Sequence, residues 1–178
     1  MATDGLTLAQ FLRMAGYVSL GFLSVSLELA PVGLTAGALP SPDLLFCLTA
    51  FFALRRPEAV PLVLIFIMGF GRDLLTDAPP GAGVLALVLT ALLLAECRGW
   101  FLQRPFFLEW IGVTLIFAAG LLLQWLLVAA TFAPTPQIGS LGWLVLITAG
   151  GYACVALVLR VVLRIDYAPE LRRLGGAS

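Results

Sequence analysis

Between Glu109 and Arg160 the chain runs for 50 residues without a charged side chain. No single element can absorb such a run. A helix rises about 1.5 Å per residue and the bilayer hydrocarbon is about 30 Å thick, so roughly 20 residues suffice to cross it. Ala133-Pro134-Thr135-Pro136 supplies a break. Proline has no N–H for the helical ladder and disfavours helix in the residue before it. The run therefore reads as two helices, about 106–132 and 140–163. Composition points the same way: 61% of the residues are hydrophobic, 11% are charged and the mean hydropathy is +1.07. A soluble domain carries about a quarter charged residues. The expected class is an all-α integral membrane protein.

Shorter uncharged runs lie at 14–27, 29–42, 44–54, 59–71 and 78–95. They predict a first helix over about 9–31, ended by Pro31 and Gly33, and a fourth over about 81–97. The runs at 44–54 and 59–71 are short for a crossing. As a re-entrant hairpin they would leave Arg55 and Arg56 near the bilayer centre, at about 2.5–3.5 kcal/mol each on the insertion scale. As two short spans, about 42–55 and 58–75, they place both arginines in water, and this is the arrangement expected. The result is one six-helix transmembrane domain over 1–178 with two short central spans, followed by a polar tail at 164–178. That tail, with Arg172-Arg173, reads as an anchor on anionic lipid or as a docking peptide for a cytoplasmic partner.

The distribution of arginine sets the orientation. With the N-terminus inside, the inner segments hold Arg13, Arg55, Arg56, Arg98, Arg104, Arg160, Arg164, Arg172 and Arg173, and the outer segments hold Arg72 alone. Nine against one places both termini in the cytoplasm. Trp100 and Trp110 would mark the inner interface and Trp143 the outer. Ala36-x-Ala38 has the spacing of a signal-peptidase site, but Glu28 interrupts the apolar stretch before it, so the first helix is expected to be retained.

Several chemistries are excluded or left without residues. There is no His, which removes Ser–His and Cys–His catalysis and His-ligated metals. Zero net charge gives no basic field for nucleic acid. Cys47, Cys97 and Cys154 are scattered and form neither a disulfide framework nor a metal motif. No phosphate loop or nucleophile elbow is present. Gly69-Phe70-Gly71-Arg72-Asp73 falls one residue short of the GxGD of intramembrane aspartyl proteases. Its glycines read as a loosened helix end that allows close backbone approach. No cofactor is expected.

The candidate polar site lies toward the outer leaflet. Glu28, Asp43, Asp73 and Asp77 face one cation, Arg72, and Gln124 sits at a comparable height. Ionisable groups at membrane depth face protein or a wet cavity and take a partner. The cluster is either an ion network fixing helices 1, 2 and 3, a surface for a partner, or a small-ligand pocket. Small residues recur at four-residue steps as Ala82, Ala86 and Thr90, as Ala149 and Ala153, and as Gly150 and Cys154. Such stripes serve internal packing or the approach of a foreign helix. Phe51-Phe52 and Phe106-Phe107 read as lipid-facing bulk.

The order Pro42-Asp43-Leu44-Leu45, Arg55-Arg56-Pro57-Glu58 and Gly69-x-x-x-Asp73-Leu74-Leu75-x-Asp77-x-Pro79-Pro80-Gly81, then a small-residue helix, resembles the rod shape-determining MreD family. The match covers about residues 40–95. The family usually reads Pro-Leu-Gly at the turn and an apolar residue where Arg72 stands. The resemblance implies a non-enzymatic scaffold subunit of the bacterial cell-elongation machinery in the inner (cytoplasmic) membrane. Its implied partner is MreC, a protein with one transmembrane helix and a periplasmic domain. Through MreC it would influence RodA, a penicillin-binding transpeptidase and MreB, and so peptidoglycan synthesis and rod shape. It also implies a likeness to the S-component fold of energy-coupling-factor transporters. The alternative function is therefore a substrate-binding subunit for small-molecule or vitamin uptake.

Overall fold

A computed structural model describes residues 8–29, 41–75, 81–130 and 138–163. Among these residues 91% are helical and none is in a strand. The helices are α1 (Leu8–Leu29), α2 (Leu44–Arg55), α3 (Leu62–Leu75), α4 (Ala82–Glu96), α5 (Arg98–Leu102), α6 (Phe106–Ala130) and α7 (Ile138–Leu163), with a 3-10 turn at Pro57–Ala59. Pro31, Gly33, Asp77, Pro79, Pro80, the 133–136 break and the 164–178 tail lie outside the described residues.

The 12-residue α2 is the axis of the bundle. Every residue from Leu45 to Arg55 is buried. A helix that is apolar all round is one surrounded by protein or lipid, and here it is protein. Neighbouring pairs α1–α3, α3–α4, α4–α6 and α6–α7 form an open ring, and α1, α4 and α7 each pack on α2. The gap in the ring falls between α1 and α7, which make little or no direct contact.

Two expectations are corrected by the position of α2. Phe51 and Phe52 are buried, not lipid-facing; Phe52 meets Tyr17 of α1 edge-on with ring centroids 5.8 Å apart. Arg55 is 4% exposed and does not reach water. Its helix ends inside the ring, so its side chain must find a partner in the protein. The reading of Phe106-Phe107 holds for Phe107, which is 63% exposed, whereas Phe106 packs against the core. The third helix starts at Leu62 because Pro57–Ala59 forms a separate turn. The short α5 was not foreseen; Phe101 on it packs where Gly112 of α6 leaves room, and a Cβ there would collide with its ring.

Among the described residues two helices, α6 and α7, are long and apolar enough to cross a membrane; α2 and α4 are apolar but shorter. Large apolar side chains lie exposed around the ring, among them Phe11, Phe22, Phe66, Leu93, Leu122 and Leu157. Arg55, Asp73 and Glu109 lie inside it. Charge within and hydrocarbon without is the reverse of a soluble domain's arrangement.

Candidate functional site

The polar residues gather at the two ends of α2. At its start, Asp43 is the N-cap: Oδ1 accepts from the Phe46 amide at 2.8 Å. The other oxygen, Oδ2, accepts from Arg72 Nη1 at 2.7 Å in a largely buried ion pair. The Asp43 amide donates to Thr148 Oγ1 of α7 at 3.1 Å, and Glu28 Oε1 accepts from the Leu44 amide at 2.9 Å. Four helices, α1, α2, α3 and α7, thus meet at the first turn of α2. Its orphan amides are the reason, since a buried helix start must give its free N–H groups acceptors.

Asp73 stands near enough to Arg72 to act on its charge, as expected, and takes a further role. It is 3% exposed, and its Oδ2 accepts from the amides of Gly81 and Val84, both at 3.1 Å. It therefore caps α4 from α3. Gly81 precedes that helix with φ +100°, a conformation that favours glycine. Gly83 is required by proximity: a Cβ there would collide with the Asp73 carboxylate. Gly69 permits close packing of α3 on α4, with Val84 Cα 3.5 Å from a built Cβ, whereas Gly71 faces open space. Asp77 lies outside the described residues.

Between Asp43, Arg72, Thr90 and Gln124 is a cavity of about 20 Å³. That is room for roughly one water, against about 300–1,000 Å³ for a small-molecule site.

The other end of α2 carries a cluster that sequence reasoning missed. Glu109 of α6 is 1% exposed and receives two parallel hydrogen bonds from Arg55, Nη1 to Oε1 and Nη2 to Oε2, each 2.9 Å. Tyr152 of α7 donates its hydroxyl to Glu109 Oε1 at 2.6 Å. Arg160 Nη2 lies 3.8 Å from Oε2, and its guanidinium sits over the Phe106 ring at 4.6 Å. Arg98 Nε donates to the Leu54 carbonyl at 2.8 Å, satisfying an acceptor of the last turn of α2. A signal was available: Glu109 lies between Leu108 and Trp110 in an otherwise uncharged helix, and Arg55 ends another. Trp110, read as an interface marker, donates Nε1–H to the Ala149 carbonyl at 2.8 Å and so ties α6 to α7.

The small-residue stripes divide. Ala86 and Thr90 are buried against α6, where a Cβ on Gly120 would collide with Thr90; Ala82 is half-buried. Ala149 is buried and Ala153 half-buried, while Gly150 is exposed with nothing within 4 Å of a built Cβ. The α4 stripe is internal packing, and the open small-residue position is on α7.

No family model, curated protein or solved structure matches this chain.

Proposed function

We propose that the chain is a six-span protein of the bacterial cytoplasmic membrane, with both termini in the cytoplasm. On this reading it is a non-enzymatic scaffold of the MreD type, holding a single-span partner of the MreC type and through it the peptidoglycan-synthesising machinery. The observation that carries the reading is how Asp43 and Asp73 are used. Both oxygens of Asp43 and one of Asp73 are engaged in capping and ion-pairing. A general acid or base needs a lone pair or proton aimed at a substrate. These carboxylates are aimed at helix ends, which is what a rigid scaffold needs.

The orientation has separate support. Arg13, Arg55, Arg98 and Arg160 cluster at the end of the bundle where α2 stops, and Arg72 lies at the end where it starts. The cavity of about 20 Å³ beside Arg72 is too small for a vitamin, so the uptake alternative, with an S-component-like fold, would have to use another surface. The test is conditional depletion in the source bacterium. Rod-shaped cells should widen and round up with septation still active. Unaltered shape with impaired uptake of a single nutrient would overturn the scaffold reading in favour of the transporter.

A further inference from the structure

The gap between α1 and α7 is floored by one face of α2. Leu44, Leu48 and Phe52 recur at four-residue steps and so lie along one side of α2, and Arg56 follows directly after its last residue. The part nearer the start of α2 is an apolar groove of about 330 Å³ between α1 and α7, reaching up to Leu27. The part nearer its end is a groove of about 530 Å³ bounded by Gly16, Ser19 and Phe52, and it finishes at Arg13 and Arg56. Leu20 lines both. The surface is thus a hydrocarbon channel with a cationic foot.

The charges at that foot do not cancel. Arg13 pairs with Glu58 at 3.0 Å, an exposed contact, and Arg56 forms no ion pair among the described residues. Among the described residues two guanidiniums therefore stand against one carboxylate. From Arg13 to Leu27 is 14 residues of helix, about 21 Å at helical rise, so an acyl chain filling one leaflet of about 15 Å covers the groove from its foot to the level of Ser24.

We propose that this groove is a binding site for an anionic diacyl phospholipid of the inner leaflet. The phosphate group sits at Arg13 and Arg56, and an acyl chain lies along Gly16, Leu20 and Ser24 over Phe52 and Leu48. The site rests on the membrane orientation proposed above and not on the MreD-type reading, so either can fail alone.

The test is native mass spectrometry of the full chain from nanodiscs holding equal phosphatidylglycerol and phosphatidylethanolamine. The wild type should retain one phosphatidylglycerol preferentially. Arg56→Gln, which breaks no ion pair among the described residues, should reduce that preference about five-fold, the usual effect of one basic group at a membrane surface. Gly16→Leu should abolish retention of either lipid. Nothing lies within 4 Å of a built Cβ at Gly16, and leucine is the better helix former, so the bundle stays folded. Equal retention of both lipids, unchanged by Arg56→Gln, would mean only annular lipid and overturn the site. Loss of a single-span partner by Gly16→Leu with lipid retention unaltered would also overturn it, assigning the groove to a helix.

Discussion

Removing one member of the Arg55–Glu109 pair should be far worse than removing both charges. The guanidinium and carboxylate are 3% and 1% exposed and share two hydrogen bonds of 2.9 Å. Arg55→Met leaves a buried carboxylate whose remaining neutral donor is Tyr152, with Arg160 no closer than 3.8 Å. Glu109→Gln leaves a buried guanidinium over the Phe51 ring with a weak amide acceptor. Breaking a buried pair from one side costs about 3–5 kcal/mol. For a chain of this length each kcal/mol moves the melting point by roughly 2–4 °C, so each single variant should melt about 6–20 °C lower. The double variant Arg55→Met/Glu109→Gln buries no uncompensated charge and keeps an acceptor for the Tyr152 hydroxyl. Its loss should be smaller than that of either single variant, which puts the coupling of the pair at or above the top of the about 0.5–3 kcal/mol range for contacting residues. The assay is thermal unfolding in detergent, followed by tryptophan fluorescence, for wild type, both singles and the double. Additive losses, or singles that melt with the wild type, would refute the claim that this pair is buried and coupled.

At the other end of α2, Asp73→Ala removes the cap from α4 and should cost about 1–2 kcal/mol by the same unfolding assay. Ala86→Leu overpacks the α4–α6 contact and should cost about 1–3 kcal/mol, whereas Gly150→Leu faces open space and should keep wild-type stability while weakening partner pull-down. Single cysteines at Thr135 and Ser178, in a background lacking Cys47, Cys97 and Cys154, should label from opposite sides of the membrane in intact cells. Labelling of both from outside would contradict the topology.

The helical class was legible because charges and prolines mark the ends of apolar runs, and periodicity is not needed to see them. The meeting of Asp43 and Arg72 was accessible because acids at membrane depth must find a partner, and Arg72 was the one cation on that side. What escaped was which apolar helix lies at the centre. A uniformly apolar helix such as α2 faces lipid or protein equally well by composition. Only the ring around it decides that Phe51 and Phe52 are core. The same ambiguity hid Arg55 and Glu109. Sequence rules place an arginine at the end of a short span in water, and the longer neighbours α6 and α7 are what enclose it. Asp73 escaped for another reason. Its partners are backbone amides at Gly81 and Val84, which no pattern of charged residues reveals.

The central claim, a scaffold that holds a single-span partner, is tested most directly by native mass spectrometry. The full chain would be purified from its own membranes at low detergent, alongside a thermal-shift screen of the isolated chain against water-soluble vitamins. The account predicts a stable complex containing a single-span protein with a large extracytoplasmic domain, and no vitamin that raises the melting point. A chain recovered alone, with one vitamin shifting its melting point by several degrees, would contradict it.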